Sequence, residues 1–382
     1  MSINHSFSSL PGKLPGDGGI SRRRMLSLSA IGLALPTMLG GAGAVAQARR
    51  PQLTVSSYRL DRTAALFSGR VQIDGVDATF VEDAIGDMNT RAFTRSGANE
   101  ITELGLHPFM LAHANEGFRD YALLPIFLLR QFRHKSVFVR TGAGINKPED
   151  LKGRRVGTPG YSSTSLTWIR GIFADEYGVK PSDMEWVIAN KDSSAAEAGK
   201  ISAQESVNPE GVSIVQGPPG LDESQLLLEG EVDALFHAAT PAAFLQGDPR
   251  ISRLFADPRA IEQDYYQRTG IFPIMHVLAI RRDVAKAYPQ LPRAIFDAYS
   301  QAKTAAYQLM NRLNWATDML PWYSAELEAT QQLMGRNFYP YGIAPNEKTL
   351  NALFDYSYRQ GLASRRLSIE EVFLPGTLNF EE

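Results

Sequence analysis

The run Gly160-Tyr161-Ser162-Ser163-Thr164 follows a short apolar stretch at 156–158, broken by Gly157, Pro159 and Gly160, and precedes the helical pattern of "LTWIRGIFADEY". A strand that turns through glycine into a helix N-terminus exposes unpaired backbone N–H groups, which together with the helix dipole suit an anion. Ser162 or Ser163 capping its own helix accounts for the same hydroxyls without a ligand. No lysine completes a G-x-x-x-x-G-K-[ST] pattern, which argues against a nucleotide phosphate loop. Gly160 leaves the loop without an acidic side chain of its own.

Cationic residues that could oppose this loop lie elsewhere. Asp61-Arg62 follows an apolar strand pattern, and the Arg62 guanidinium offers a two-pronged fork to a carboxylate, against the plainer role of pairing with Asp61. Tyr58 stands beside it, able to stack on a ring or to line the core. Arg130, Arg133, His134 and Lys135 concentrate charge in "LRQFRHKS", where an anion site and a solvated face are both served. His276, with Thr269, Phe272 and Pro273 before it, lies in an apolar strand pattern, where a lone histidine is more often a satisfied core residue. His237 and Thr240 follow "VDALF", and Gly105, Leu106 and His107 follow "EITEL", so both loops leave the carboxyl end of a strand. Apart from His107 and His113, the histidines beyond residue 48 lack tight ligand spacing, so no metal is expected, and no nucleophile signature is found. No cofactor is expected.

The elements that must position these residues alternate between β-rich and helical runs, the pattern of an α/β protein. Strands are predicted at 52–58, 77–82, 100–104, 135–140, 231–241 and 273–283, with "YALLPIFLL" at 121–129 too continuously apolar for an exposed strand. Helices are predicted at 61–68, 86–95 and 107–115 and over most of the chain beyond Leu291, whereas 190–220 reads as loops with one short strand at "VSIVQ". Two α/β halves joined by crossovers create a cleft that collects loops from the carboxyl ends of strands.

The first 48 residues read as an export signal: Ser21-Arg22-Arg23-Arg24-Met25-Leu26, a short apolar stretch, then small residues ending Ala46-x-Ala48. The arginine run resembles a twin-arginine signal, which implies passage through the twin-arginine export machinery and a periplasmic location, with cleavage after Ala48. The chain holds 39 basic and 41 acidic residues; the signal-like segment takes Lys13, Arg22, Arg23, Arg24 and Asp17, leaving 35 and 40, a net charge of −5. That balance argues against a nucleic-acid partner. With no cysteine at all, disulfides, thiolate metal sites, a cysteine nucleophile and a lipoprotein anchor are excluded.

The segments "KPEDLKGRRVGTPGYSSTS" and "EVDALFHAATP", with the two crossovers, resemble the type II periplasmic solute-binding fold. In order along the chain, "YRLDRTAAL", "FRHKSVFVRTGAGINKPEDLKGRRVG", "WIRGIFADEYGV", "FLQGDPRISRLFAD", "YYQRTGIFPIMHVLAIRRDV", "LPWYSAELEATQQLMG" and "FYPYGIAPN" resemble the 4,5-dihydroxyphthalate decarboxylase-like family. The resemblance implies an α/β fold of two lobes, each a mixed sheet with flanking helices, joined by a two-crossover hinge. Lobe 1 is placed at 49–128 and 276–382, and lobe 2 at 129–275.

The family contains both decarboxylases and transporter substrate-binding components, and the export signal favours the second. The expectation is therefore a periplasmic solute-binding protein that captures a small organic anion, aromatic or otherwise carboxylated, for an inner-membrane transporter permease. Its ligand set is Tyr58, Arg62, His107, Arg133, His134, Tyr161, Ser162, Ser163, Thr164, His237, Thr240, Phe272 and His276. The alternative is a carboxy-lyase of the 4,5-dihydroxyphthalate decarboxylase type, with His134 or His276 as the general acid.

Overall fold

The computed structural model describes residues 50–312 and 319–382. The export-signal segment, 1–48, lies outside the described residues. Among the described residues, eleven strands form two mixed sheets. The first contains β1 (Gln52–Ser57), β2 (Asp77–Glu82), β3 (Ile101–Gly105), β4 (Tyr121–Arg130) and β11 (Ile274–Arg281) in the order β2-β1-β3-β11-β4. The second contains β5 (Val137–Arg140), β6 (Arg155–Thr158), β7 (Glu185–Ile188), β8 (Ser213–Gln216), β9 (Ala234–Phe236) and β10 (Ile251–Arg253) in the order β10-β5-β9-β6-β7-β8. The chain crosses between the sheets twice, from β4 to β5 and from β10 to β11.

Residues 129, 130, 274 and 275, assigned to the second lobe from sequence, belong to strands of the first sheet. The reason is antiparallel pairing of β11 with β4, which starts at Ile274 opposite Arg130. β4 is an edge strand, yet nine of its ten residues are buried. Pro125, which cannot donate to a ladder, is tolerated because β4 lies at the edge of the sheet. Its carbonyl accepts from Gly342 N–H at 2.8 Å, and Leu123 accepts from Leu374 N–H at 2.9 Å, so C-terminal segments cover the edge.

The helix Thr164–Tyr177 begins at Ser163, whose hydroxyl accepts from Leu166 N–H at 3.4 Å, and ends at Gly178 in the left-handed region with φ 62°. Both signals are visible in the sequence. Its partner is the C-terminal helix Glu347–Arg359, which packs Tyr356 edge-on to Trp168 at 5.5 Å and lies so close at Gly171 that an added Cβ would sit 2.2 Å from the Tyr356 ring. The Trp168 indole also donates to the Ile274 carbonyl at 3.0 Å. The first-sheet side and the second-sheet side are thus joined by a packed seam as well as by the two crossovers.

Candidate functional site

A cavity of about 400 Å³ lies where loops from both sheets converge, within the ~300–1,000 Å³ of small-molecule sites. Its walls come from the ends of β1 (Tyr58), β3 (Gly105), β6 (Pro159, Gly160, Tyr161) and β9 (His237), the start of β11 (Met275, His276), and the segment from Asp192 to Glu205. Leu60, Ile85, Pro108, Leu129, Leu166 and Ile201 supply apolar surface, and the titratable groups fall into clusters.

One cluster stands on the first sheet. In the antiparallel register His276 faces Gly105 and Leu278 faces Glu103, so Glu103 and His276 are diagonal neighbours on one face. Nδ1 of His276 lies 2.6 Å from Glu103 Oε1. The other carboxylate oxygen accepts from the Ser57 hydroxyl at 2.7 Å and the Tyr58 N–H at 3.0 Å. Burial by itself would push the Glu103 carboxyl up, but these bonds, led by His276, hold it below the ordinary value. The imidazole stacks on Tyr58 with centroids 6.0 Å apart and planes 18° from parallel. The Tyr58 hydroxyl accepts from Ile85 N–H at 2.9 Å and donates to the Glu197 carbonyl at 3.2 Å, tying the first-sheet side to the 192–205 segment.

The second cluster stands on the other sheet. His237, 1% exposed, points Nε2 at Asp192 Oδ1 (3.5 Å) and Glu223 Oε1 (3.4 Å) without a hydrogen bond to either. Burial opposes charge on this ring, yet the two carboxylates outweigh it and raise the affinity of His237 for a proton. Asp192 also accepts from the Ser194 N–H and hydroxyl at 2.8 and 2.7 Å, and Glu223 accepts from Ser193.

Arg133, 3% exposed, lines the cavity and donates through one terminal nitrogen to the Ala238 carbonyl at 3.1 Å, while its buried Nε has no partner. Burial lowers its pKa to about 10, so it remains a cation at neutral pH. Ser163, Thr164 and Ser165 bring the N-terminus of the 164–177 helix to the same cavity, where first-turn N–H groups lack intrahelical acceptors. Gly160 sits against Ile201, whose Cδ1 would be 2.8 Å from an added Cβ. The acid missing from that loop comes from Glu205, buried in the cavity wall and pushed up to about 7 by desolvation against hydrogen bonds from Ser202 N–H and hydroxyl.

The structure therefore brings together Tyr58, Arg133, Tyr161, Ser163, Thr164, His237 and His276 of the residues singled out from sequence. Six others do not line the cavity. Arg62 donates from Nε to the Leu128 carbonyl at 2.6 Å, pairs with Asp61 at 2.9 Å and lies 4.5 Å over the Tyr339 ring, so its guanidinium is engaged by the protein itself. His107 is a fully buried pin between the Ser162 carbonyl (2.6 Å) and the Ser357 hydroxyl (2.8 Å), with its pKa lowered to about 3 chiefly by burial. His134 is packed against Phe255 and Tyr265 with neither ring nitrogen hydrogen-bonded, and burial lowers it to about 4. Ser162 is fully buried and donates to the Val207 carbonyl at 3.1 Å. Phe272 stacks on Phe132 at 4.7 Å under Arg130, and Thr240 lies beyond the lining of the His237 loop.

Sequence reasoning passed over Glu103, Asp192, Glu223 and Glu205. Glu103 carried a signal: it is the charged residue inside the strand "ITELG", every residue of which is buried, and buried carboxylates require partners. Asp192 and Glu205 carried none, since they lie in the polar 190–220 stretch.

The lobes also meet backbone to backbone. An added Cβ on Gly86 would lie 2.1 Å from the Lys200 carbonyl oxygen, and one on Gly199, at φ +74°, would lie 3.1 Å from Asp87 N. Only glycine fits such an approach.

Residues 110–205 match the NMT1/THI5 like family. Among solved structures, a putative periplasmic sulfonate-binding protein of a sulfonate ABC transporter from Methylobacillus flagellatus KT superposes with a TM-score of 0.54 at 14% identity, covering 86% of this chain and 93% of that one. This is a likeness of fold. Two relatives are closer in sequence, and both are named 4,5-dihydroxyphthalate decarboxylase. The Comamonas testosteroni protein is 38% identical over 328 residues, covering 86% of this chain and 97% of its own. The Pseudomonas putida protein is 34% identical over 215 residues, covering 56% of this chain and 81% of its own. With likeness to the first extending over nearly all of that relative, this chain belongs to the 4,5-dihydroxyphthalate decarboxylase family, on a two-lobed periplasmic-binding-protein fold.

Proposed function

We propose that this protein binds a hydroxylated aromatic carboxylate between its lobes and removes a carboxyl group as carbon dioxide. The observation that carries the reading is the Glu103–His276 pair opening into the cavity. With Nδ1 held by Glu103, the other ring nitrogen of His276 is left to hold and deliver a proton, the arrangement expected of an oriented general acid. A carboxylate on the ligand is met by Arg133 and by the helix N-terminus at Ser163 and Thr164, while Tyr58, Tyr161 and the apolar wall receive the ring.

The chemistry balances without an oxidant. A ring hydroxyl para to the departing carboxylate pushes electron density to the carbon that bears it. His276 protonates that carbon, the ring-to-carboxyl bond breaks, its electron pair restores the aromatic ring, and carbon dioxide leaves. The imidazole then regains a proton from water. Glu103 stabilises the cationic ring before transfer and fixes its orientation.

The test is to incubate the purified protein with 4,5-dihydroxyphthalate and to follow carbon dioxide release together with formation of the aromatic monocarboxylate. One carbon dioxide per substrate consumed is expected. Saturable binding with the ligand recovered intact would overturn the enzyme reading. That outcome would favour a second one, a periplasmic receptor that hands the same anion to a transporter, which the twin-arginine-like segment at residues 21–26 supports.

A further inference from the structure

The Asp192, Glu223 and His237 group is not used by the proton transfer described above, and its charges do not balance. Two carboxylates, one fully buried (Glu223, 0% exposed) and one largely so (Asp192, 16%), face a single imidazole that is itself 1% exposed. A buried carboxylate pair is costly unless a cation neutralises it. Even a protonated His237 supplies one positive charge for two negative ones. Its Nε2 stops 3.4–3.5 Å from the oxygens and makes no hydrogen bond, although it is buried and aimed between them.

One potential ligand atom from each of the three residues lies within 4.8 Å of the others. Nε2 already stands 3.5 and 3.4 Å from the two oxygens, about the separation of neighbouring ligand atoms around a cation bound at ~2.0–2.2 Å from each. The outer arrangement also fits. Nδ1 of His237 contacts the Ala239 carbonyl at 3.0 Å, and an N–H donated there leaves the Nε2 lone pair facing the carboxylates. The Ala239 N–H, 2.9 Å from the same Nδ1, belongs to the opposite tautomer, so the bound ion would select between the two. Ser194 donates to the Asp192 Oδ1 that faces His237, and Ser193 donates to both oxygens of Glu223, so the carboxylates are held in place by hydroxyl and backbone donors.

We propose that Asp192, Glu223 and His237 form a site for one divalent transition cation of the zinc or manganese type. One imidazole nitrogen with two carboxylate oxygens suits these ions better than calcium or magnesium, which prefer all-oxygen shells. Asp192 and His237 line the cavity, whereas Glu223 lies behind them. The coordination positions left over therefore face the ligand space and would take water, or a carboxylate or phenol oxygen of the bound aromatic acid. The assignment rests on the cluster alone and stands whether the cavity decarboxylates its ligand or only holds it.

The experiment measures metal content of the full chain by mass spectrometry, then titrates chelator-stripped protein with Zn²⁺ and with Mn²⁺ by calorimetry. One equivalent per chain is expected, with affinity weakened about 100-fold or more in Glu223→Gln and His237→Ala. Asp192→Asn, at the more exposed position, serves if either variant fails to fold. His276→Asn, at the other imidazole of the cavity, should bind the ion as the natural sequence does. No cation retained and no saturable heat with either ion would overturn the site, as would equal affinity in all variants. Full metal binding with no carbon dioxide release would sink the decarboxylase reading and leave this one intact.

Discussion

Two histidines face the same cavity from different sheets in opposite electrostatic situations. His276 has one carboxylate, Glu103, which also accepts from the Ser57 hydroxyl and the Tyr58 N–H. His237 has two carboxylates and a hydrogen bond to neither. The first wall pairs its imidazole with one fully engaged carboxylate, whereas the second sets two carboxylates against one imidazole. An aromatic acid lying between them would meet acid on one side and a demand for cations on the other, with Arg133 as the fixed cation at the boundary.

The largest effect that separates the walls is expected from His276→Gln, which should lower turnover about 10²–10⁴-fold while ligand affinity changes little. Unchanged turnover would remove the proton donor from the first wall.

Next is the strained acid of the second wall. Glu205 holds its proton to about pH 7 in the native chain against an ordinary value of 4.5, so the native state binds more protons than the unfolded one between these values. Its stabilising contribution is complete below the ordinary value and is lost as pH rises through about 7, at a cost on the order of 3 kcal/mol. Glu205→Gln cannot ionise and should become more stable relative to the natural sequence between pH 5 and pH 8 in denaturant titrations. Parallel stability profiles would show that Glu205 ionises freely.

Arg133→Met removes the boundary cation with little change in length. KM for the aromatic acid should rise about 10–100-fold, the loss of one charge-assisted contact, with a smaller change in kcat. The smallest effect belongs to Arg62→Ala. Because its guanidinium is taken by Leu128, Asp61 and Tyr339, ligand affinity should stay within about two-fold while stability falls by roughly 1 kcal/mol. A large affinity loss there would mean that the lobes close differently around ligand.

The architecture was largely legible because it depends on local pattern. The strand at 77–82 matches residue for residue, and the cap Ser163 and stop Gly178 bound their helix as the sequence implies. Within the site, residues on loops leaving strand ends were found, namely Tyr58, Tyr161, Ser163, Thr164 and His237. Residue type misled where a polar group is consumed internally. Arg62 and His107 have the right chemistry, but their partners, Leu128 and Ser357, are 66 and 250 positions away and could not be foreseen. The same distance hid the useful pairs: His276 meets Glu103 from 173 positions away through strand register, and His237 meets Asp192 through folding of an irregular segment.

The contact of Gly86 with the Lys200 carbonyl has a kinetic meaning. Where two lobes touch through bare backbone, no side chain can swing aside to let a molecule pass at that point. Admission there calls for the halves to part as jaws about the two crossing segments, a collective motion of microseconds to milliseconds rather than a rotamer flip. Substitutions along the crossings at 131–136 and 254–273 would then set how long a molecule stays inside, even though most of those residues never touch it.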